Sequence, residues 1–229
     1  MTAPWTPGPA APELQDGAIH VWRADLATLG EAHLALLDAE ESARAKRFLQ
    51  DRDRQRWAQS HGVLRALLGS YLGVDGSGLR FAAGEHGKPA LDFSTGDGAH
   101  PLPSFNLSHS GDLALYAIAA TAPVGIDVET PRSVERVLEI ALRTFGPEES
   151  AQLEQLDDPE ARQQEFLRMW TRHEAELKCL GTGIGGAHLA AGAPRPWRRD
   201  LELGNRAVAA VAVAHPPSEL CCWRWPAAA

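Results

Sequence analysis

Alternating and helical patterns of apolar residues divide the first third of the chain. In Ile19-His20-Val21-Trp22 the polar His20 lies between apolar residues, a short alternation that predicts a β-strand. Residues 31–49 place apolar positions among charges, as in an amphipathic helix. Residues 52–72 continue that spacing and stop at Gly73, which predicts a second helix.

Strand-like runs dominate the middle of the chain. They are predicted around residues 79–81, 89–91, 105–108, 113–121 and 124–128. Ser110-Gly111-Asp112 has the composition of a hairpin turn between the third and fourth of them. Residues 95–103 are rich in Gly and Pro and predict a loop.

Helices and strands recur in the second half. Helices are predicted over residues 133–143, from Pro147 onward and over 159–180, and strands near residue 201 and over 206–214 and 220–225. The whole pattern indicates the α+β class. We expect a flexible tail over residues 1–17, an N-terminal lobe over 18–122 and a C-terminal lobe over 123–229.

Charge and composition limit the classes of partner. The net charge is −8, which argues against nucleic acid as the main partner, because polyanion binding needs a basic surface. One segment is nevertheless basic, and this predicts a small anionic ligand or an acidic partner. Its cations are Arg44, Lys46, Arg47, Arg52, Arg54 and Arg56.

Cysteine usage and hydropathy predict a cytoplasmic protein. The three cysteines form no C-x-x-C pair and are expected to be reduced thiols. The first residues lack the pattern of a signal peptide, and the small-apolar run at 207–214 is too short to span a bilayer. We therefore expect no membrane contact and a monomer.

Gly125-Ile126-Asp127-Val128-Glu129 carries the first candidate chemistry. On a strand, Asp127 and Glu129 share one face while Ile126 and Val128 point into the core. Two carboxylates side by side repel each other unless a cation lies between them, and magnesium suits that position. The alternative is a solvated strand end with two unrelated acids.

Glu174 and Lys178 lie one helical turn apart in the predicted helix over 159–180. They border an apolar stripe formed by Phe166, Met169, Trp170, Leu177 and Leu180. The plainer interpretation is a surface ion pair that stabilises the helix by about 0.3–0.5 kcal/mol. If the pair lies near Asp127 and Glu129, it adds a third carboxylate and a lysine able to neutralise a leaving phosphate.

Three further motifs do not fit common sites. Residues 181–186 match G-x-G-x-x-G but follow a helix, so a helix stop and turn is the better interpretation. The glycine next to Lys88 allows approach to a phosphate, although residues 84–89 lack P-loop spacing. Ser108 and His109 point to opposite faces of a strand and form no hydrolase dyad; His109 is either a phosphate donor or a structural histidine.

Four segments, in order, resemble the Sfp-type 4'-phosphopantetheinyl transferases. They are Gly87-Lys88-Pro89, residues 105–111, residues 125–129 and residues 170–183. The resemblance spans about residues 30–185. It implies a pseudo-dimer of two similar α/β lobes with coenzyme A in the cleft between them. The implied enzyme moves 4'-phosphopantetheine from coenzyme A to a serine of an apo acyl or peptidyl carrier protein.

The resemblance also implies residue roles. Asp127, Glu129 and Glu174 would hold Mg²⁺ on the coenzyme A pyrophosphate, and Glu174 would help remove the serine proton. Lys178 would stabilise the phosphate or the departing 3',5'-ADP. The residues implied in gripping the nucleotide phosphates are Lys88 with its neighbour Pro89, Ser108, His109, Arg44, Arg47 and Arg56.

Two positions depart from the family pattern. His173 stands where lysine is usual, and a packing role is expected for it. Glu41 stands where some members carry a basic residue. Two other functions use the same residues: a magnesium-dependent hydrolase of the coenzyme A pyrophosphate, and a non-catalytic module that binds coenzyme A or a carrier protein. The basic segment favours the transferase, because carrier proteins are typically acidic.

Overall fold

The computed structural model describes residues 4–84, 87–92, 102–182 and 195–226. The strands are β1 (Thr6–Pro7), β2 (Ala18–Asp25), β3 (Phe81–Ala83), β4 (Pro89–Leu91), β5 (Ser104–Ser110), β6 (Leu113–Ala119), β7 (Val124–Glu129), β8 (Trp197–Asp200), β9 (Val208–Val213) and β10 (Glu219–Arg224). The α-helices are α1 (Ala39–Ala45), α2 (Asp51–Leu72), α3 (Val137–Thr144), α4 (Pro147–Glu154) and α5 (Pro159–Leu180). The predicted α+β class is confirmed.

The strands form three sheets. The largest has the order β1-β10-β2-β6-β5, and a second has the order β7-β9-β8. β3 and β4 form a third sheet of two strands within the described residues. In the largest sheet β10 runs parallel to β1 and β2, whereas β2, β6 and β5 are antiparallel.

The last strand returns to the beginning of the chain. β10 pairs with β2 from Glu219 opposite Ala18 to Arg224 opposite Arg23, and β1 pairs with the far edge of β10. Trp5 Nε1 also donates to the carbonyl of Glu202 at 2.6 Å. The segment expected to be a tail is therefore attached to the sheet, and β10 lies among strands of the predicted N-terminal lobe. The division at residue 123 stays a prediction.

β6 forms the centre of the core because both of its faces are buried. Ala114, Tyr116 and Ile118 pack with α2, while Leu113, Leu115 and Ala117 pack against the second sheet. Because both faces are buried, the sequence of β6 is a continuous run of apolar residues and does not alternate between apolar and polar side chains.

α5 covers the outer face of the second sheet at very short range. A Cβ added to Gly125 of β7 would lie 2.1 Å from the Ala175 carbonyl oxygen and 2.4 Å from the Cys179 nitrogen. Only glycine permits this approach. Because Gly125, Asp127 and Glu129 alternate along β7, the same face carries both acids.

Local signals explain where the long helices end. α2 stops at Gly73 and α5 stops at Gly181, with φ of 66° and 71°, values that glycine adopts without strain. Both stops were predicted. Asp158 caps the start of α5 by accepting from the Glu160 and Ala161 nitrogens at 3.1 and 3.3 Å.

The prediction of a single helix over residues 31–49 is wrong. A 3₁₀ helix covers Glu31–Leu36, and α1 begins separately after Asp38. Asp38 is extended and forms a capping box with Glu41, whose backbone nitrogen donates to Asp38 Oδ1 at 2.8 Å. The cap therefore starts a new helix where periodicity indicated continuation.

Arg65 in α2 ties this region together and was not singled out from the sequence. Its side chain is fully buried and pairs with Asp38 at 2.6 Å and Glu41 at 2.5 Å. It also donates to the carbonyls of Gly76 and Leu79, both at 3.1 Å. Glu41 is thus engaged in holding a buried cation. Within the described ranges no helix combines the length and apolarity needed to cross a bilayer.

Candidate active site

Polar side chains at alternate positions of β5 join the two larger sheets. Asn106 Oδ1 accepts from the Ile126 nitrogen at 2.8 Å. Ser108 Oγ donates to Asp127 Oδ1 at 2.9 Å, and Ser110 Oγ donates to Glu129 at 3.3 Å. Only Ser108 was predicted. The period of two along β5 was a signal by which the other two could have been found.

Asp127 lies at the centre of the site. It is 6% exposed, and its Oδ1 accepts from Lys178 Nζ at 2.6 Å as well as from Ser108. Its Oδ2 is buried and has no hydrogen-bond partner among the residues that the structure describes. Burial raises the pKa of Asp127 even though Lys178 opposes that change. The carboxylate therefore keeps one oxygen unsatisfied.

Glu174 faces the same acids from α5. It is 7% exposed, and burial, followed by the negative charge of Asp127, raises its pKa. The sequence placed Glu174 at the edge of an apolar stripe, whereas the helix buries it. Leu180, predicted in the stripe, is 46% exposed. The close approach at Gly125 turns the helix face that carries Glu174 and Ala175 inward.

Glu129 has its own cation. Arg132 donates to both of its oxygens, at 3.0 and 3.2 Å. Since Lys178 pairs with Asp127 and Arg132 with Glu129, repulsion between the two acids does not by itself demand a metal. Among the described residues, no group of three or more His, Cys, Asp or Glu side chains is arranged to hold a metal ion. The magnesium site stays a prediction.

Lys88 occupies a different environment from the one expected. Its ammonium donates to the carbonyls of Val124 and Lys178 at 2.8 and 2.7 Å. Burial lowers its pKa. Lys88 therefore clamps the start of β7 to the last turn of α5, and its neighbour Pro89 is exposed at the start of β4.

His109 lies beside cations from both halves of the chain. Loss of solvation lowers its pKa, and the charges of Lys178 and Arg56 lower it further. Arg56 Nε donates to Asp112 Oδ1 at 2.7 Å, which holds the guanidinium at this end of α2. The structure thus places Arg56 and Lys178 within electrostatic range of His109, although the three residues come from distant segments of the sequence.

The remaining basic candidates lie in α1 and in the turn that follows it. Arg44 Cζ is 5.5 Å from the ring centroid of Trp57, and Trp57 stacks on His61 with centroids 3.7 Å apart. His61 is in electrostatic range of Arg44 and His109. Arg47 is exposed in the turn after α1.

His173 and the glycine-rich segment complete the predicted motifs. The ring of His173 makes an edge contact with Phe145, with centroids 5.6 Å apart, which agrees with the expected packing role. Residues 183–186 of the glycine-rich segment lie outside the described residues.

Two family models match the chain in tandem. One, described as 4'-phosphopantetheinyl transferase, N-terminal, matches residues 21–122. The other, described as the 4'-phosphopantetheinyl transferase superfamily, matches residues 123–224. Together they include every residue of the site described above.

Individual relatives agree with these models. The chain is 40% identical over 185 residues to the 4'-phosphopantetheinyl transferase HetI of Nostoc sp. (strain PCC 7120 / SAG 25.82 / UTEX 2576), which covers 79% of this chain and 76% of HetI. It is 29% identical over 154 residues to the 4'-phosphopantetheinyl transferase Sfp of Bacillus subtilis (strain 168), covering 67% of this chain and 64% of Sfp. The human L-aminoadipate-semialdehyde dehydrogenase-phosphopantetheinyl transferase is 28% identical over 156 residues, covering 65% of this chain and 50% of that protein. With both halves matched and HetI aligned over most of its length, the chain belongs to the 4'-phosphopantetheinyl transferase superfamily.

Proposed function

We propose that this protein transfers the 4'-phosphopantetheine group of coenzyme A to a serine of an apo carrier protein in a magnesium-dependent reaction. Family membership supports the reaction class. The observation that supports the proposal most directly is the buried Asp127 carboxylate, which lies beside Glu174 and Lys178 and whose Oδ2 bonds to none of the described residues. In this proposal the site lies between a lobe of residues 18–122 and a lobe of residues 123–229.

The chemical types of the site residues fit magnesium, although the arrangement of the described side chains is not that of a metal site. The candidate ligands are carboxylates, which are the oxygen donors that this ion prefers. No described residue bonds to the buried Asp127 Oδ2, so a cation there would satisfy it. Glu129 and Glu174 are close enough to influence the charge of Asp127 or to be influenced by it. When bound, magnesium would neutralise the pyrophosphate oxygens of coenzyme A.

The protein's own residues then account for proton and charge movement. The carrier serine oxygen attacks the β-phosphorus, a new P–O bond forms, and the bond to the 3',5'-ADP oxygen breaks. Glu174 takes the serine proton, and its raised pKa suits that role near neutral pH. Lys178, held by Asp127 and Ser108, supplies positive charge to the phosphate and the leaving group.

Nucleotide phosphates are held in this proposal by the cations near β5. Ser108 and His109 lie at the site itself, and Arg56 is positioned beside them by Asp112. Arg44 and Arg47 extend the positive charge along α1 and the turn that follows. Lys88 and Pro89 support the site through the clamp between β7 and α5.

Intact mass spectrometry of a carrier protein tests the function. The full chain is mixed with an apo carrier protein, coenzyme A and Mg²⁺. We expect the carrier to gain one phosphopantetheine, and Asp127→Asn should abolish that gain. Free 3',5'-ADP with an unchanged carrier would instead indicate hydrolysis, and no turnover would indicate a binding module.

Glu139→Gln is the matched control for Asp127→Asn. Glu139 is an exposed acid on α3 that pairs with Arg136, so its loss should leave transfer unchanged. Full activity of the Asp127 variant alongside this control would refute the proposed site.

The cellular setting is also part of the proposal. We assign the protein to the cytoplasm as a monomer, with coenzyme A and a carrier protein as partners. The three cysteines are free thiols in the structure, in agreement with a reducing compartment. Light scattering of the purified chain checks the assembly state, and a mass of 24.7 kDa is expected.

A further inference from the structure

A cavity of about 370 Å³ lies at the end of the large sheet, between β2, β10 and the segment before β9. Three arginines from those three segments, Arg23, Arg206 and Arg224, line it. None of the residues assigned above to coenzyme A or magnesium belongs to its lining.

Two of the arginines are forced together by strand pairing. Arg23 and Arg224 are direct partners in the parallel register of β2 and β10, so their side chains leave the sheet side by side. Like charges opposite each other on neighbouring strands are destabilising. Burial, followed by the charges of Arg224 and Arg206, lowers the pKa of Arg23.

The chain compensates only part of this charge. Within the part of the chain that the structure describes, Asp25 is the single acid in the lining, and it pairs with Arg206 at 2.8 Å. Arg23 lies over the ring of Trp5, 5.2 Å from its centroid. Among the described residues, no hydrogen bond or ion pair is formed by the guanidinium of Arg224. Three arginines therefore share one acid in the described lining of this cavity, which leaves a net positive charge of two.

We infer that this cavity is a second anion site, which binds a phosphate-class oxyanion such as pyrophosphate or the phosphate of a monoester. Guanidinium groups present planar pairs of donors that match phosphate oxygens. An anion between Arg23 and Arg224 would replace their repulsion by two attractive contacts. The concave shape and the apolar floor of Leu113, Leu203 and Trp225 favour a small ligand over a flat acidic protein surface.

Thermal unfolding of the full chain, without Mg²⁺, tests the inference. Sodium pyrophosphate is compared with sodium chloride at equal ionic strength. We expect pyrophosphate to raise the melting temperature of the wild type. Arg224→Gln and Arg23→Gln should lose most of that rise, and Arg224→Gln in chloride should melt no lower than the wild type because it relieves repulsion.

Two further variants separate this site from the coenzyme A site. Arg136→Gln removes an exposed arginine directly before α3 and should keep the full rise. Arg56→Gln removes a cation of the proposed nucleotide site and should also keep most of it. A rise that disappears with Arg56→Gln but survives Arg224→Gln would overturn the inference, and so would a wild type that shows no rise.

Calorimetric titration identifies the ligand's source. Pyrophosphate and glycerol phosphate are titrated separately, and we expect the affinity for at least one to fall roughly tenfold or more in Arg224→Gln. Stronger binding of pyrophosphate indicates a free ion, and stronger binding of the ester indicates a phosphorylated metabolite. Binding of an acidic protein alone, with neither small anion, would contradict the inference.

Discussion

Asp127 and Glu174 are residues of the site whose ionised side chains lower the stability of the fold. Both acids are buried, and burial raises the pKa of each. A carboxyl group whose pKa is higher in the folded protein than in the unfolded chain destabilises the fold once it ionises. Such groups are retained where a proton acceptor or a cation ligand is needed.

Replacing Glu174 with Gln should raise stability and remove activity. The metal-free variant should unfold at higher denaturant concentration at pH 7–8, because the ionised group is gone. The difference in stability between the variant and the wild type should vanish below pH 4.5, the ordinary pKa of glutamate. There the wild-type Glu174 is protonated in both the folded and the unfolded state. Carrier modification should fall by about 100-fold or more.

Glu165→Gln on the same helix is the control for this substitution. Glu165 is partly exposed and pairs with Arg168 at 3.2 Å, so neither stability at neutral pH nor transfer should change much. If the Glu174→Gln variant retained transfer activity, Glu174 would have no role in the mechanism.

His20 should make the fold sensitive to acid. It is 3% exposed, its Nδ1 lies 2.8 Å from the Tyr71 hydroxyl, and burial lowers its pKa to about 4. Between pH 4 and 6.5 the unfolded chain binds more protons than the native one, so stability falls as pH drops through that window. The full shift corresponds to about 3 kcal/mol.

Urea unfolding at pH 4.5 and pH 7 measures that effect. The loss of stability between the two pH values should be smaller in His20→Gln than in the wild type. His215→Gln, at an exposed position, should behave like the wild type. An unchanged loss in His20→Gln would show that other groups cause the acid sensitivity.

At the scale of elements, the packing of α5 on β7 creates the site. Gly125 permits contact with the backbone of α5, and Lys88 clamps the two elements together through the carbonyls of Val124 and Lys178. These contacts set the distance across which Lys178 reaches Asp127. The hydrogen bonds from β5 then orient both acids of β7.

Gly125→Ala should therefore damage both fold and site. Its Cβ would meet backbone atoms of α5 that no rotamer change can move aside. We expect a loss of about 1–3 kcal/mol in the free energy of unfolding, with reduced transfer. Chemical denaturation and the carrier assay measure the two effects.

Gly78→Ala is the matched control, since a Cβ there meets nothing within 4 Å. It should leave stability within about 0.5 kcal/mol of the wild type. Equal stability of the two variants would mean that α5 does not need the close approach.

At the scale of the whole molecule, β10 makes the two halves interdependent. It lies between β1 and β2 although it is the last strand of the chain. A fragment of residues 1–122 would expose the edge of β2 and leave β1 without its partner.

We expect neither residues 1–122 nor residues 123–229 to unfold cooperatively when expressed alone. Circular dichroism during urea denaturation checks this. Mixing the two fragments should restore a cooperative transition, because β10 can then pair with β2. A cooperative transition of 1–122 alone would show that its sheet does not require β10.

Short-range patterns in the sequence were sufficient for several features of this protein. Period-two alternation put Asp127 and Glu129 on one strand face, helical spacing put Glu174 and Lys178 one turn apart, and glycine ended both long helices. Each of these depends on residues within a few positions of one another. The ordered motifs were also enough to indicate the family.

Contacts between distant residues were decided only by the tertiary structure. Lys178 reaches Asp127 across 51 positions, and Lys88 bonds to the Lys178 carbonyl across 90. The pairing of β10 with β2 and the convergence of three arginines at its end are of the same kind. Periodicity describes which side of an element a residue faces, whereas these partners depend on how elements meet, which close packing of the whole core determines.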